Sequence, residues 1–134
     1  MARARSAIIV CVALAAAGCA SAQDQIRSTV QQLANAAAAH DYKTICDSVL
    51  APSLVRRLTG NGISCEQAMR VALGGVRDPV ISIGKISVRG GRGTAITLTV
   101  ARGQQAALSA IELVQTGDGW RISSLGSPLS AAGR

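Results

Sequence analysis

The sequence predicts a small α+β domain in which N-terminal helices pack on a curved four-stranded antiparallel sheet. Three observations predict it. Apolar residues recur at helical spacing up to Leu73. After Gly74-Gly75 the period changes to strand-like alternation. Glycine-bearing turns then divide the second half into four segments, which suits a meander.

Ile26, Val30, Leu33, Ala34 and Ala37 share one helical face, so a first helix is expected from Asp24 to Ala39, with Asp24 suited to its N-terminal end. His40 and Asp41 break the pattern. Asp41 is placed to cap a second helix that buries Ile45, Cys46, Val49 and Leu50. Pro52 stops it and begins a short helix to Leu58, ended by Gly60-Asn61-Gly62. Ser64 and Gln67 have capping-box spacing, which opens a helix from Cys65 to Leu73.

Val80 to Val88 reads as a strand whose apolar phase slips at Gly84, as a bulge requires. After the Gly90-Gly91-Arg92-Gly93 loop, Ile96, Leu98 and Val100 alternate with Thr97, Thr99 and Ala101, and the larger aliphatics are expected to point inward. Ala106 to Gln115 forms a third strand. Thr116-Gly117-Asp118-Gly119 turns the chain into a fourth, Trp120 to Leu125.

The 134 residues leave room for one domain, and the charge is +7. Met1 to about Ala22 has the three parts of a secretory signal: Arg3 and Arg5, an apolar stretch, then small residues. The expected organisation is a signal over 1–22, a domain over 23–126 and a flexible tail over 127–134. Two cleavage routes are open. Ala20-Ser21-Ala22 suits release before Gln23, whereas Ala16-Ala17-Gly18-Cys19 resembles a lipobox, with Ala16 where leucine is usual, and would leave a lipidated Cys19 anchored in the membrane. The lipidated route is the preferred expectation, secretion the other.

With Cys11 discarded and Cys19 discarded or acylated, Cys46 and Cys65 remain as an even pair, and a disulfide between them is expected, two buried thiols being the alternative. Zinc is not expected, because His40 is the only histidine and no CxxC occurs. Nucleic acid is excluded as a partner by the absence of stacking aromatics and basic runs. The glycine-rich loop lacks a Lys-Ser/Thr ending and is no phosphate loop, and no nucleophile motif accompanies the serines. No cofactor is expected.

The order of helices, bent sheet and a final hairpin reading Ile111-Glu112-Leu113-Val114 into Gly119-Trp120-Arg121-Ile122 resembles the nuclear transport factor 2-like superfamily over Asp24 to Leu125. It is similar to small exported or lipoprotein members from actinobacteria, which carry a cysteine in each corresponding helical segment. The resemblance implies a cone enclosing a cavity, catalytic in some members and a binding scaffold in others. Catalysis there needs a carboxylate base facing an oxyanion donor, and this chain offers little of either, Glu112 being the only acid deep in a strand. No catalytic residue is therefore assigned. Tyr42, Trp120 and Glu112 are the candidate pocket residues, each with a plainer reading: Tyr42 as a helix-junction contact beside His40 and Asp41, Trp120 as core, Glu112 as solvent-facing. The expected function is non-catalytic binding of an envelope protein or a small apolar ligand outside the cytoplasm, with homodimerisation through the sheet as a further partner mode. A small isomerase, cyclase or hydrolase on the same scaffold is the alternative.

Overall fold

A computed structural model describes residues 20–126 and 129. The leader up to Cys19, with its lipidation, and most of the tail expectation lie outside the described residues. Helix α1 spans Ala22–Ala38. It begins two residues earlier than the periodicity suggests, because Ser21 rather than Asp24 caps it: the Ser21 hydroxyl accepts from the Asp24 N–H at 3.2 Å. Ile26, Thr29, Val30, Leu33, Ala34, Ala36 and Ala37 form its buried stripe.

His40 ends this segment in the left-handed region, φ 55°. The second helix is broken where a continuous one was expected. One α-turn, α2 (Tyr42–Thr44), opens on a cap in which the Asp41 carboxylate accepts from the Thr44 N–H at 3.1 Å. A π-turn over Ile45–Val49 follows, closed by the Leu50 N–H donating to the Ile45 carbonyl at 2.9 Å. Pro52 supplies the reason: it disfavours helical backbone at the residue before it, and Leu50 and Ala51 are extended at ψ 143° and 144°. Leu50 thereby lies parallel to Ile122 at the sheet edge, and the Ala51 N–H donates to the Ile122 carbonyl at 2.7 Å.

Helix α3 (Pro52–Thr59) starts with proline in its first turn, and α4 (Cys65–Leu73) carries the anticipated capping box between Ser64 and Gln67. Cys65 and Met69 are the two residues α4 buries fully. Cys46 and Cys65 are disulfide-bonded, with their Cα atoms 6.1 Å apart. The bond ties the π-turn to the first residue of α4.

The sheet is an antiparallel meander in sequence order: β1 (Val80–Arg89), β2 (Arg92–Val100), β3 (Ala107–Thr116) and β4 (Gly119–Ser124). The register of β1 on β2 slips between Ile83 and Ile86, at the expected bulge. One expectation is overturned. In β2 the inward residues are Gly93, Ala95 and Thr97, while Ile96, Leu98 and Val100 face out, Leu98 and Val100 at 40% and 45% exposure. The cause is the closeness of α1. A Cβ on Gly93 would stand 2.5 Å from Ile26 Cδ1 and 3.3 Å from the Trp120 ring, so small residues must line this part of the inner face. Thr29 fastens the same contact, its hydroxyl donating to the Trp120 carbonyl at 3.0 Å. Larger inward residues come from the neighbouring strands: Ile111 and Leu113 on β3, Trp120 and Ile122 on β4.

Candidate functional site

Between the C-terminal half of α1 and the sheet lies a cavity of about 200 Å³. Leu33 and Ala37 of α1, Leu73 at the end of α4, Ile81 of β1 and Ile111 of β3 supply most of its wall. Its polar contacts are few. Thr97, 1% exposed, lines it with its hydroxyl donating to the Ser109 carbonyl at 3.4 Å, and Thr99, Ser109 and Gln104 are the other polar residues of the lining. Among the described residues, no charged side chain lines the cavity.

Two loops bound the cavity at the open end of the β1–β2 pair, contributing Val76, Pro79 and Gln104. They are tied by three contacts: the Arg102 N–H to the Arg77 carbonyl at 2.9 Å, the Arg102–Asp78 salt bridge at 2.6 Å, and Gln104 Nε2 to the Gly75 carbonyl at 3.4 Å. Asp78 sits at φ 47°, a conformation that non-glycine residues hold only when the surroundings enforce it.

The three residues singled out from the sequence are not brought together, and none lines this cavity. Tyr42 is buried at the α2–α4 junction, with its hydroxyl 2.9 Å from His40 Nδ1 and the Arg70 guanidinium 5.8 Å from its ring centre. Asp41 beside it is an exposed cap. The Thr44 hydroxyl, then the Thr44 N–H, then the charge of Lys43 hold its carboxyl below the ordinary carboxylate range. Trp120 is core, 5% exposed. Glu112 is exposed on the opposite, outer face of the sheet, one residue out of phase with the buried Ile111 and Leu113.

There Glu112 borders a second, polar depression of about 410 Å³ with Ser53, Arg57, Arg92 and Ser123. Arg57 reaches it from α3 and donates to the Ser123 carbonyl at 2.6 Å. The expectation of a cavity between helices and sheet does not extend to the residues that line it, and of the outer basin's residues the sequence singles out only Glu112. The cavity wall is made of residues that read as ordinary core, and the outer basin depends on strand register and on α3 folding back against β4. No protein-family model matches the chain, and no curated protein matches it. The geometry therefore has to carry any functional reading. Among the described residues no helix is long and apolar enough to cross a membrane.

Proposed function

We propose that the chain is a non-catalytic binding domain of nuclear transport factor 2-like architecture, working outside the cytoplasm and admitting a small uncharged apolar ligand to its inner cavity. The observation that carries this reading is a cavity between helices and sheet whose wall is mostly aliphatic and, among the described residues, free of charged groups. An apolar cavity of about 150 Å³ takes up benzene. A space of about 200 Å³ suits a single ring or a short branched chain, with Thr97, Ser109 and Gln104 available to orient one polar atom. A charged ligand would lose its hydration there without a partner.

Export is supported by the three-part leader and by a disulfide in the folded domain, since such bonds persist in oxidising compartments. Anchoring through Cys19 is supported by the start of α1. Cleavage before Cys19 keeps Ser21, whose hydroxyl caps the helix, and Ala20, whose carbonyl accepts from Gln25 Nε2 at 2.9 Å. Cleavage before Gln23 discards both and leaves a new ammonium group within the first turn, against the helix dipole.

Methyl-resolved NMR with benzene as probe tests the binding reading. Saturable shifts are expected at Leu33, Ile81 and Ile111, and Ala37→Leu, which fills the cavity from α1, should abolish them while Thr97→Val keeps them. Absence of saturable shifts, or shifts confined to outer-face methyls such as Leu98, overturns it.

A further inference from the structure

The outer face of the sheet divides into an aliphatic half and a basic half. Alternation places Val80, Leu98, Val100, Ile96 and Leu108 on it, because their strand neighbours Ile81, Ala95, Thr97 and Ile111 face the core. The register sets them in adjacent rows: Val80 opposite Val100, Leu98 opposite Leu108, Ile96 opposite Ala110. Val80 is 61% exposed and Leu108 45%, and half-exposed Leu129 donates its N–H to the Leu108 carbonyl at 2.7 Å. Side chains of this kind normally seek cover.

Toward the β1–β2 hairpin the same face turns basic. Arg89 and Arg92 stand directly opposite each other, Val114 is next to Arg92, and Arg121 is next to Val114. Like charges directly opposite each other on a ladder destabilise it, and a counter-charge from outside would relieve that repulsion. Arg121 and Arg57 are committed within the fold, donating to the Asp47 carbonyl at 2.8 Å and the Ser123 carbonyl at 2.6 Å, but among the described residues Arg89 and Arg92 join no salt bridge. Arg57 and Arg92 line the polar basin with Ser53 and Ser123. Glu112 on its wall offsets part of that charge.

We infer that this face docks on an anionic lipid surface, with Leu98, Leu108, Val100 and Val80 entering the boundary between headgroups and acyl chains and Arg89 and Arg92 meeting lipid phosphates. The apolar and basic halves lie on the same face of the sheet, the combination by which interfacial anchors generally bind anionic bilayers. A second copy of the chain fits less well. A handful of aliphatic side chains, Val80 at 61% exposure and Leu98, Val100 and Leu108 at 40%, 45% and 45%, falls short of the roughly 800 Å² that each partner of a standard interface buries, and the remainder of a face-to-face pair would bury unpaired arginines.

The test uses the full chain with Leu98→Trp and vesicles of phosphatidylcholine, alone or with one quarter phosphatidylglycerol, brominated on the acyl chains. Bromine quenches only a tryptophan that enters the lipid, so a tether elsewhere in the chain does not produce the signal. Expected are at least threefold stronger quenching on anionic than on neutral vesicles, loss of that difference in Arg89→Gln with Arg92→Gln, and its decline in 0.5 M salt. Leu108→Trp serves as a second probe if the first variant misfolds. No quenching, equal quenching on both vesicles, or a concentration-dependent blue shift of the introduced indole in buffer alone, which would mean a second copy covering it, overturns the inference.

Discussion

The disulfide lends itself to a quantitative prediction. Cys46 and Cys65 are 19 residues apart, and in the chain-entropy model a loop of that size restricts the unfolded chain by about 3 kcal/mol. Cys46→Ala with Cys65→Ala should therefore lower stability by about that amount, and the melting temperature by about 15 °C at the roughly 4–8 °C per kcal/mol expected for a domain this small. The loss should also be uneven. Cys65 and Met69 are the two residues by which α4 is fully buried, and α3 buries none fully. Without the bond this pair of helices depends on Met69 and on half-buried contacts, so it should open locally before the sheet does. Two measurements separate the effects: Trp120, the only tryptophan and 5% exposed, reports the core in a urea titration, and amide exchange reports α4. Expected are a core transition shifted by about 3 kcal/mol and α4 amides that lose more protection than β3 amides. A variant within about 1 kcal/mol of the parent, or one with uniform loss of protection, would refute the assignment of the bond as the staple of the helical layer.

Three other substitutions probe the fold. Gly93→Ala drives a methyl against Ile26 Cδ1 and the Trp120 ring, and overpacking of this kind should cost about 1–3 kcal/mol in chemical denaturation; a neutral result would mean α1 is free to shift away. Ser64→Ala removes half of the capping box and should cost about 1 kcal/mol, read as faster amide exchange confined to the start of α4. Asp41 titrates below its ordinary value of 3.8 because Thr44 hydrogen-bonds its charged form. Since the folded pKa is the depressed one, its stabilisation is present above the unfolded value and is lost as pH falls through the folded value. Asp41→Asn should accordingly flatten the decline in melting temperature below about pH 4, and an unchanged acid limb would count against the cap.

Element types were largely legible from the chain because local chemistry dictates them. Ser64 and Gln67 announce α4, Gly84 marks the bulge, and Thr116 to Gly119 makes the last turn. The break after Thr44 was not legible, since Ile45, Cys46, Val49 and Leu50 keep helical spacing while Pro52, acting backward on Ala51, pulls the chain out to meet Ile122. The identity of the residues lining the cavity was illegible for a different reason. Leu33, Ala37, Ile81 and Ile111 are the residues any aliphatic core would use, and a void differs from a packed core by the distance between elements rather than by composition.

The orientation of β2 shows how far alternation can mislead. Ile96, Leu98 and Val100 alternate with Thr97 and Thr99, and the usual inference sends the larger aliphatics inward. That inference assumes a half-buried strand whose outer face meets water. Here α1 lies close enough on the inner face that Gly93 and Ala95 are required, Ala95 being 0% exposed, so small residues inside and large ones outside is the arrangement that packs. The same steric demand leaves the aliphatic row uncovered on the far side. A strand whose bulkier face is the exposed one is therefore evidence of a tight contact on its other face, and the uncovered row it leaves is what the lipid-docking proposal rests on.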